Sequence, residues 1–479
     1  MLSALCGRSL HRLWSRRWLA VVLLSSSVLT SASAQTIDAL VNFNGSNGAN
    51  PAGALVQGLD GNFYGVTLMG GATNAGTIFR VTPAGVLTTL VSFRSDAKDK
   101  EPYAGLLLGA DGSFYGTTSN YNASGGCGNA FKMTSDGVVT VLVEFGGSKG
   151  CIPLVPFIQG PGGKLFGGTG LGDPNGNGNL FSLTTAGSFR NFLNFSFTNG
   201  SGPIQLLYAS DGNIYGLTTE GGTGGCLFRC GTVFRLTPGG LTKLVDFLEH
   251  NGEFPIALLQ ALDGNFYGAT MLGGLANCND SPGCGTLFAG TLQGHFRTLA
   301  NLDDPIGDGV TALLQASDGN LYGATAFGGS STNCSIGCGA IFQSTLQGQL
   351  TRQASFDSGD ANFGQWRVTL TQGTDGSFYG TTYYGGSSNM GSVFKLDLGL
   401  PAFVIASPSF ASIGSQLNIL GTNLLGTSAV SFNGAPATFT VVSATQIIAT
   451  VPSGASSGQI SVTTPTGVLK SNSNFRVIP

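Results

Sequence analysis

A seven-residue motif, built from an Asp-Gly turn and an aromatic pair, recurs along the chain at intervals of roughly 50 residues. The first copy is LDGNFYG at 59–65. The later copies are ADGSFYG at 110–116, PGGKLFG at 161–167, SDGNIYG at 210–216, LDGNFYG at 262–268, SDGNLYG at 317–323 and TDGSFYG at 374–380. A fixed period of this length indicates a repeat protein, in which each unit is one supersecondary element that packs on its neighbours.

Each unit predicts four short β-strands. In the first unit the apolar runs are ALVQGL at 54–59, NFYGVTL at 62–68, GTIFRVT at 76–82 and VLTTLVSF at 86–93. The Asp60-Gly61 turn separates the first two runs, because Gly and Asp accept the backbone conformations of tight turns. Four strands in each of seven units predict a seven-bladed β-propeller over residues 35–398. A parallel β-helix would use shorter coils, and a string of sandwiches would need about twice as many residues per unit.

The seventh unit lacks its own fourth strand. Nothing like VLTTLVSF follows the run GSVFKLD at 391–397, whereas a matching run, TIDALVNF at 36–43, precedes the first unit. We therefore expect the N-terminal strand to complete the seventh blade and close the ring. This arrangement also removes an exposed sheet edge, which would otherwise promote aggregation.

Residues 1–34 read as a secretory signal peptide. Four arginines precede an apolar run from Trp18 to Leu24, and ASA at 32–34 resembles a cleavage site. The pair of arginines in SRRWLA at 15–20 weakly resembles a twin-arginine signal, but the sequence favours the general secretory route. No later stretch approaches the ~20 apolar residues of a transmembrane helix. The mature chain is expected to begin at Gln35 and to be exported.

The charge balance argues against nucleic acid as a partner. The signal peptide holds four of the 21 basic residues and none of the 24 acidic ones, so the mature chain carries 17 and 24, a net charge of −7. Phosphate binding needs clustered Lys and Arg, and no such cluster occurs. No cofactor is expected.

Catalytic motifs are scarce. His250 and His295 have neither metal-binding nor catalytic-triad spacing, and Asp303 and Asp304 lie in a loop that joins two blades. Acids from separate blades can still converge at the centre of a ring without any local motif. An extracellular polysaccharide hydrolase or lyase is therefore the alternative to a binding function.

Eight cysteines remain after the signal peptide, and an even number in an exported chain indicates disulfides. Three pairs lie in loops between second and third strands: Cys226 with Cys230, Cys278 with Cys284, and Cys334 with Cys338. Cys127 has the same place in the second blade without a partner in its loop, which leaves Cys151. Since connections alternate between the ends of a blade, both lie at one face. A zinc site made from two such pairs is the alternative, but no metal is predicted.

The loop DPNGNG at 173–178 resembles the start of a calcium-binding loop. Asp173, Asn175 and Asn177 occupy alternate positions, but Thr184 replaces the acid that should close the site. A plain Asn/Gly turn is therefore favoured over calcium binding.

The alternation of connections predicts which face carries the ligand. The long loops 94–102, 146–156, 248–254, 303–309 and 357–364 share a face with the cysteine-bearing loops, and the opposite face carries tight turns. Binding residues concentrate in long loops on rigid scaffolds. Tyr103, Tyr121 and Tyr384 lie in or beside such loops, so they are the candidates for stacking on sugar or contacting a protein. The alternative is that they cap blade ends. The repeated Phe-Tyr pairs are expected in the core between blades, and the Asp-Gly pairs are expected to form turns.

The composition changes near residue 400. Residues 401–479 contain only Lys470 and Arg476 as charges, and short apolar runs alternate with Gly, Pro and Ser, which predicts a small β-sandwich. The stretch SAVSFNGAPATFTVVSATQIIATVPSGASSGQISVTTPTG at 428–467 resembles the IPT/TIG immunoglobulin-like domain.

The repeat DGNFYGVTLMGG…GTIFRVT…LTTLVSF resembles the GloVer tandem repeat of exported bacterial proteins, which carry varied C-terminal anchoring modules. It is also similar, less closely, to the sensor-propeller repeats of bacterial receptors. The GloVer resemblance implies no catalytic residues, and no sorting motif follows Phe475. The sequence thus predicts an exported binding or adhesion protein of the bacterial periplasm, surface or exterior, with carbohydrate or protein as its ligand.

Overall fold

The computed structural model describes residues 37–95, 100–119, 126–171, 176–223, 230–274, 278, 283–334, 336–357 and 367–479. The predicted signal peptide lies outside these residues. Within them, seven antiparallel sheets of four or five strands come first, and a sandwich of shorter strands follows. The predicted fold class, a seven-bladed propeller followed by an immunoglobulin-like sandwich, is confirmed. The described helical segments are two 3₁₀ turns, Gly147–Lys149 and Pro161–Gly163, and neither is long or apolar enough to cross a membrane.

The first three blades each run from an inner strand to an outer strand in chain order, after a first strand, β1 (Asp38–Asn42), that belongs elsewhere. Blade 1 contains β2 (Ala49–Pro51), β3 (Val56–Gln57), β4 (Phe63–Met69), β5 (Thr77–Val81) and β6 (Leu87–Ser92). Blade 2 contains β7 (Leu107–Leu108), β8 (Phe114–Thr118), β9 (Asn129–Met133) and β10 (Val139–Glu144). Blade 3 contains β11 (Cys151–Pro153), β12 (Ile158–Gln159), β13 (Leu165–Leu171), β14 (Asn179–Leu183) and β15 (Phe189–Asn194).

The other four blades follow the same order. Blade 4 contains β16 (Ser201–Tyr208), β17 (Ile214–Glu220), β18 (Thr232–Thr237) and β19 (Gly240–Asp246). Blade 5 contains β20 (Glu253–Gln260), β21 (Phe266–Leu272), β22 (Thr286–Gly290) and β23 (Phe296–Asn301). Blade 6 contains β24 (Asp308–Gln315), β25 (Leu321–Phe327), β26 (Ala340–Ser344) and β27 (Leu350–Ser355). Blade 7 contains β28 (Thr371–Gln372), β29 (Phe378–Thr382) and β30 (Ser392–Leu396), with β1 as its outer strand.

The inner strands surround a central channel, since inner strands of successive blades, such as β16, β20 and β24, contact one another. The repeated aromatic pair fills the space between blades. Tyr64 packs on Phe114 of the next blade with ring centroids 4.2 Å apart, and Phe63 packs on Tyr379 of the previous blade at 4.1 Å. All four rings are buried, because adjacent strand residues face opposite sides of a sheet that has a neighbour on each side.

Each repeated Asp has a second role beyond its turn. The carboxylate accepts a hydrogen bond from the hydroxyl of the Tyr four residues later. The oxygen–oxygen distances are 2.9 Å for Tyr64–Asp60, 2.8 Å for Tyr115–Asp111, 2.9 Å for Tyr215–Asp211, 2.9 Å for Tyr267–Asp263, 3.0 Å for Tyr322–Asp318 and 2.8 Å for Tyr379–Asp375. Blade 3 lacks both partners, having Gly162-Gly163 and Phe166. The turn tolerates the loss of Asp there because no hydroxyl has to be satisfied.

Glutamines at the ends of inner strands join neighbouring blades. The side-chain oxygen of Gln57 accepts a hydrogen bond from the backbone N–H of Thr374 at 3.0 Å, which links blades 1 and 7. The other pairs are Gln159 with Ala110 (3.0 Å), Gln260 with Ser210 (2.8 Å), Gln315 with Leu262 (2.9 Å) and Gln372 with Ser317 (2.9 Å). Each bond ties one blade to the Asp-Gly turn of its predecessor.

A different set of backbone bonds joins the blades at the opposite end of the inner strands. Here a residue with positive φ donates its N–H to a loop carbonyl of the previous blade. These bonds run from Asn50 to Met390 (2.8 Å), Glu101 to Ala75 (2.9 Å), Ile152 to Cys127 (3.1 Å), Gly202 to Asn177 (3.0 Å) and Gly309 to Cys284 (3.1 Å). A positive φ is costly for the β-branched Ile152, at 59°, and the bond between blades offsets part of that cost.

The N-terminal strand lies at the junction of the last and first blades. β1 pairs antiparallel with β30, from Asp38 opposite Lys395 to Asn42 opposite Ser392. Phe43 follows it, is fully buried, and packs against Phe79 of blade 1 with centroids 5.2 Å apart. One short segment therefore contributes to both blades that meet where the ring closes.

The C-terminal sandwich has its own apolar core. One sheet has the order β31 (Ile405–Ser407), β33 (Gln416–Leu420), β37 (Gln446–Thr450), β36 (Phe439–Val441). The other has the order β35 (Ala435–Pro436), β34 (Ala429–Phe432), β38 (Ile460–Thr464), β39 (Gly467–Lys470), and β32 (Phe410–Ser412) pairs in parallel with β40 (Arg476–Ile478). Between the sheets lie Leu417, Ile419, Val430, Phe432, Ile447 and Val462.

Candidate functional site

The sandwich covers the face of the ring that carries the Asp-Gly turns, here called the short-turn face. It makes hydrogen bonds with six blades. These are Thr445 to the Leu59 carbonyl (2.8 Å), Asn418 to Ala110 (3.4 Å), Arg476 to Ala209 (2.8 Å), Asn474 to Leu262 (3.0 Å), Ser317 to the Pro401 carbonyl (2.7 Å), and the hydroxyls of Thr374 and Thr422 (3.0 Å). Because the contacts are spread around the ring, the sandwich also crosses its axis.

Apolar contacts hold the sandwich against this end of the central channel. Leu420 of the sandwich packs in one cluster with Leu106 and Leu108 of blade 2. Tyr208 of blade 4 packs on Phe410 at 5.3 Å between centroids. A cavity of about 390 Å³ remains in the channel, and both inner-strand residues and the sandwich segment 405–410 line it. The sandwich therefore lies across the channel at the short-turn face, and within the described residues its hydrogen bonds and ring contacts with the blades lie at that face.

Disulfides hold loops on that opposite face, here called the long-loop face. The structure joins Cys127 to Cys151, Cys278 to Cys284, and Cys334 to Cys338. Cys230 is also disulfide-bonded, whereas Cys226 lies outside the described residues. The first bond links the loop of blade 2 to the inner strand of blade 3, so it fastens two blades. The others each close a loop within one blade.

One group on this face has the composition of a metal site. Possible ligand atoms of Cys278, Cys284 and Asp308 lie within 4.8 Å of one another, and all three residues are buried. The two cysteines are joined in a disulfide, so neither offers the thiolate that binds zinc. Burial, together with the nearby carboxylate of Asp304, raises the pKa of Asp308 to about 6. The calcium candidate Asp173 lies outside the described residues.

Arg367 and Tyr103 meet at the open mouth of the channel. Arg367 precedes Val368, which pairs with Thr382 at the inner edge of blade 7, and Tyr103 follows Pro102 at the inner edge of blade 2. The guanidinium carbon of Arg367 lies 3.8 Å from the centroid of the Tyr103 ring, and the guanidinium also donates a hydrogen bond to the Tyr103 hydroxyl. Blade 1 lies between blades 7 and 2, so this contact at the mouth joins two blades that are not neighbours in the ring.

Two further tyrosines extend the group. The N–H of Tyr383 donates to the Arg367 carbonyl at 3.1 Å, and the Asn50 side chain donates to the Tyr383 carbonyl at 3.0 Å. The rings of Tyr383 and Tyr384 form an edge-to-face pair with centroids 4.7 Å apart. We call Tyr103, Arg367, Tyr383 and Tyr384 the mouth cluster. It contains two of the three tyrosines that the sequence singles out, and Tyr121 lies outside the described residues.

The mouth cluster surrounds a cation without pairing it to an acid. Desolvation lowers the pKa of Arg367 to about 10, with the nearby Tyr383 opposing the shift, so the side chain stays charged at neutral pH. Among the described ion pairs none includes Arg367. Desolvation also raises the pKa of Tyr383, with a contribution from Tyr384, so the Tyr383 ring is a neutral hydrogen-bonding group near pH 7.

Sequence reasoning missed Arg367 and Tyr383, although the repeat contains a signal for the first. One position at the start of the inner edge of each blade varies in chemistry while the residues around it repeat. It holds Asn50, Glu101, Ile152, Gly202, Phe254, Gly309 and Arg367. A variable position within a constant pattern indicates that the fold does not require one side chain there. Arg367 is the one cation in that set.

The fold and the site define a class of protein: a repeat propeller with an IPT/TIG domain, of the binding or adhesion type. The chain belongs to the family described as the Gloeobacter/Verrucomicrobia repeat, which matches residues 27–156, 107–309 and 227–428. Residues 403–477 match the IPT/TIG domain. Both resemblances noted in the sequence are therefore confirmed.

Solved structures with the same fold have low sequence identity to the chain. A streptogramin B lyase is 15% identical with a TM-score of 0.52, covering 76% of this chain and 99% of its own. A catalytically inactive virginiamycin B lyase from Staphylococcus aureus with quinupristin is 14% identical with a TM-score of 0.51 and the same coverage. The extracellular domain of a B. thetaiotaomicron protein described as a hybrid two-component system is 12% identical with a TM-score of 0.50, covering 93% of this chain and 60% of its own. A comparison with curated proteins found no match.

Proposed function

We propose that this protein is an exported binding or adhesion protein that takes a carbohydrate or protein ligand on its long-loop face. The observation that carries the proposal is the position of the sandwich, which covers the short-turn face through contacts with six blades. Within the described residues the sandwich does not cover the long-loop face, so this face can meet a large extracellular partner.

The construction of this face supports the same function. Disulfides restrain several of its loops, which lowers the entropy cost of ordering them on binding. Tyr103 and Tyr384 are half-buried, so each keeps an accessible surface. Tyrosine offers a large ring with few rotatable bonds and a hydroxyl, which suits contact with sugar faces or protein side chains.

A polysaccharide hydrolase or lyase is the second candidate, because one acid pair has a suitable environment. The buried carboxyl of Asp308, whose pKa is raised to about 6, lies near Asp304 at the long-loop end of blade 6. Such a carboxyl can act as a general acid near neutral pH. The S. aureus lyase is described as inactive after a histidine was replaced. In this chain His250 lies in the turn after β19 and His295 lies between β22 and β23, at opposite ends of their blades.

A panel experiment separates the two candidates. The mature protein is incubated with soluble polysaccharides and, in parallel, passed over the same polysaccharides and extracellular matrix proteins in immobilised form. Retention without new reducing ends or unsaturated sugars supports the binding function. Turnover that disappears in Asp308→Asn supports the enzyme and contradicts our proposal.

Substitutions on the two faces then show which face binds the ligand. Tyr384→Ala should weaken binding about 3- to 10-fold, as expected for the loss of one aromatic contact, with an unchanged melting temperature. Tyr64→Ala is the matched control, since its ring is buried between blades and its loss should lower the melting temperature. Loss of binding on substitution of Thr445 at the short-turn face, with Tyr384→Ala binding normally, would show that the ligand lies on the other side.

A further inference from the structure

We infer that the mouth cluster binds the carboxylate of an acidic saccharide, with a uronic acid as the recognised sugar. This inference rests on the proposed function, because it names the ligand class of the same face. Three observations carry it: a cation at the channel mouth with no acidic partner among the described residues, an aromatic surface beside it, and the charge of the surrounding chain.

The first observation is the surroundings of the Arg367 guanidinium. Arg367 is half-buried, and within the described residues the side-chain partner of its guanidinium is Tyr103 and not a carboxylate. A desolvated cation without a counter-charge is unfavourable. A carboxylate from a ligand would supply that charge through short, charge-assisted hydrogen bonds, and the planar guanidinium can bind both carboxylate oxygens at once.

Tyr103 holds the guanidinium in place for such a ligand. The guanidinium carbon lies 3.8 Å from the ring centroid and the guanidinium donates to the ring hydroxyl, so Tyr103 restrains its position. Arg side chains otherwise lose considerable rotamer freedom on binding, so prior restraint reduces that cost. The backbone of Arg367 is also restrained, because its carbonyl accepts the N–H of Tyr383.

The aromatic surface favours a sugar as the rest of the ligand. Tyr383 and Tyr384 are half-buried and meet edge to face, so their rings present two differently oriented surfaces beside the cation. Sugar rings place C–H groups against aromatic faces and hydroxyls against polar edges, which suits tyrosine. A simple inorganic anion would use Arg367 without these rings.

The overall charge excludes a densely charged polymer. The mature chain has a net charge of −7, and a single cation lies in the mouth cluster. Heavily sulfated or phosphorylated chains would meet net repulsion over the rest of the surface. A saccharide with no more than one carboxylate per sugar fits one guanidinium. A fully neutral saccharide would leave the cation unpaired.

The experiment compares two probes and two arginine variants of the mature chain. The probes are trigalacturonate and its fully methyl-esterified form, which has the same rings without the charge. The variants are Arg367→Gln and Arg190→Gln, the second of which removes an equal charge from the exposed face of β15. Calorimetry gives the dissociation constants, and thermal melting reports folding.

We expect the mature protein to bind trigalacturonate about 10- to 100-fold more tightly than its ester, the loss typical of one charge-assisted contact. Arg367→Gln should lose that preference, and Arg190→Gln should keep it. Equal binding of acid and ester by the unaltered protein would overturn the inference, and this comparison does not depend on any variant folding.

The outcomes separate this inference from the function on which it rests. Retention of neutral polysaccharides or matrix proteins on the long-loop face, with no preference for trigalacturonate, would overturn the acidic-sugar assignment alone. Failure to retain any member of the panel would overturn both the acidic-sugar assignment and the proposed binding function. If Arg367→Gln lowers the melting temperature as much as Tyr64→Ala while acid and ester bind alike, Arg367 is a structural bridge between blades 7 and 2.

Discussion

The short-turn face and the long-loop face belong to the same seven sheets, but they differ in which residues repeat. On the short-turn face the Asp-Gly turn recurs in six blades, because each turn serves several partners at once. In blade 1 the carboxylate of Asp60 accepts from Tyr64, the carbonyl of Gly61 accepts from Gln57, and the carbonyl of Leu59 accepts from Thr445 of the sandwich. A substitution there would disturb several contacts.

On the long-loop face the bonds that recur between successive blades use backbone atoms. The N–H of Asn50, Glu101 or Ile152 donates to a loop carbonyl whatever the side chain is. Side chains on this face are therefore free to differ between blades. Contacts between blades and with the sandwich therefore constrain the short-turn face. The long-loop face can change its chemistry without loss of the fold.

Removal of the N-terminal strand should have the largest effect, because both faces depend on a closed ring. A chain that begins at residue 44 loses β1 and the buried ring of Phe43, and it exposes the edge of β30. Loss of the Phe43 side chain alone is expected to cost about 3–5 kcal/mol. We expect the truncated protein to unfold at a much lower denaturant concentration and to aggregate. A denaturation curve that overlays that of the mature protein would show that β1 does not close the ring.

Removal of residues 401–479 should have a smaller effect and should act on one face. The ring keeps its own closure, so we expect it to stay folded, but Leu108 and Tyr208 lose their apolar partners. The melting temperature should fall and binding of a hydrophobic dye should rise, while ligand retention on the long-loop face should persist. Loss of retention together with a native circular dichroism spectrum would mean that the sandwich takes part in binding.

The Tyr–Asp pairs give a test with a defined pH dependence. Burial and the carboxylate of Asp263 raise the pKa of Tyr267 to about 12 from its ordinary value near 10. The stability from this pair is fully present below pH 10 and is lost as the pH rises from about 10 to 12. Tyr267→Phe should cost about 0.5–1.5 kcal/mol at pH 7 and remove part of that alkaline slope.

Blade 3 supplies the matched control for this pair. Phe166 has no Asp nearby in its turn, so Phe166→Tyr should bring no comparable gain. Urea denaturation at a series of pH values measures both variants. Equal stabilities of Tyr267→Phe and the unaltered protein at pH 7 would mean that the Tyr–Asp bond does not stabilise the short-turn face.

The smallest effect is expected at Asp308 on the long-loop face, where the substitution should stabilise the fold and not destabilise it. Its pKa is raised to about 6 by burial and by Asp304, whereas an unfolded Asp ionises near 4. Folding is therefore favoured by the neutral carboxyl at low pH, and that contribution is lost as the pH rises from about 4 to 6. Asp308→Asn should be more stable than the unaltered protein at pH 7 by about 1 kcal/mol after allowance for solvent. Thermal melts at pH 4 and pH 7 measure this difference, and an equal melting temperature at pH 7 would contradict it.

Local sequence was sufficient for the blades, because their signals are local. Asp60-Gly61 defines a turn, Phe63 and Tyr64 define the alternation of a strand between two packed faces, and the count of such motifs gives the number of blades. The position of TIDALVNF was informative for a similar reason, since one strand was missing at the other end of the chain.

The contacts that join distant parts of the chain could not be predicted from local sequence motifs. Gln57 bonds to Thr374, and Arg367 stacks on Tyr103, 264 residues away. Neither pair has a spacing that a motif can define, because ring closure alone brings them together. The docking of the sandwich could not be predicted either, since most of its hydrogen bonds with the blades end on backbone carbonyls, which every sequence possesses. Tyr103 and Tyr384 could be selected from their loops, but their connection through Arg367 depends on the closed ring.

The closed end of the channel limits what kind of molecule the open end can accept. A ring open at both faces would let a polymer chain thread through it and slide. Within the described residues the sandwich segment 405–410 lines the cavity at the short-turn end of the channel, so a polymer that enters from the long-loop face meets the sandwich before it can pass through. A long polysaccharide could then be held at a chain end or across the mouth, never along the axis. Affinity should accordingly scale with the number of chain termini or exposed bends rather than with polymer length.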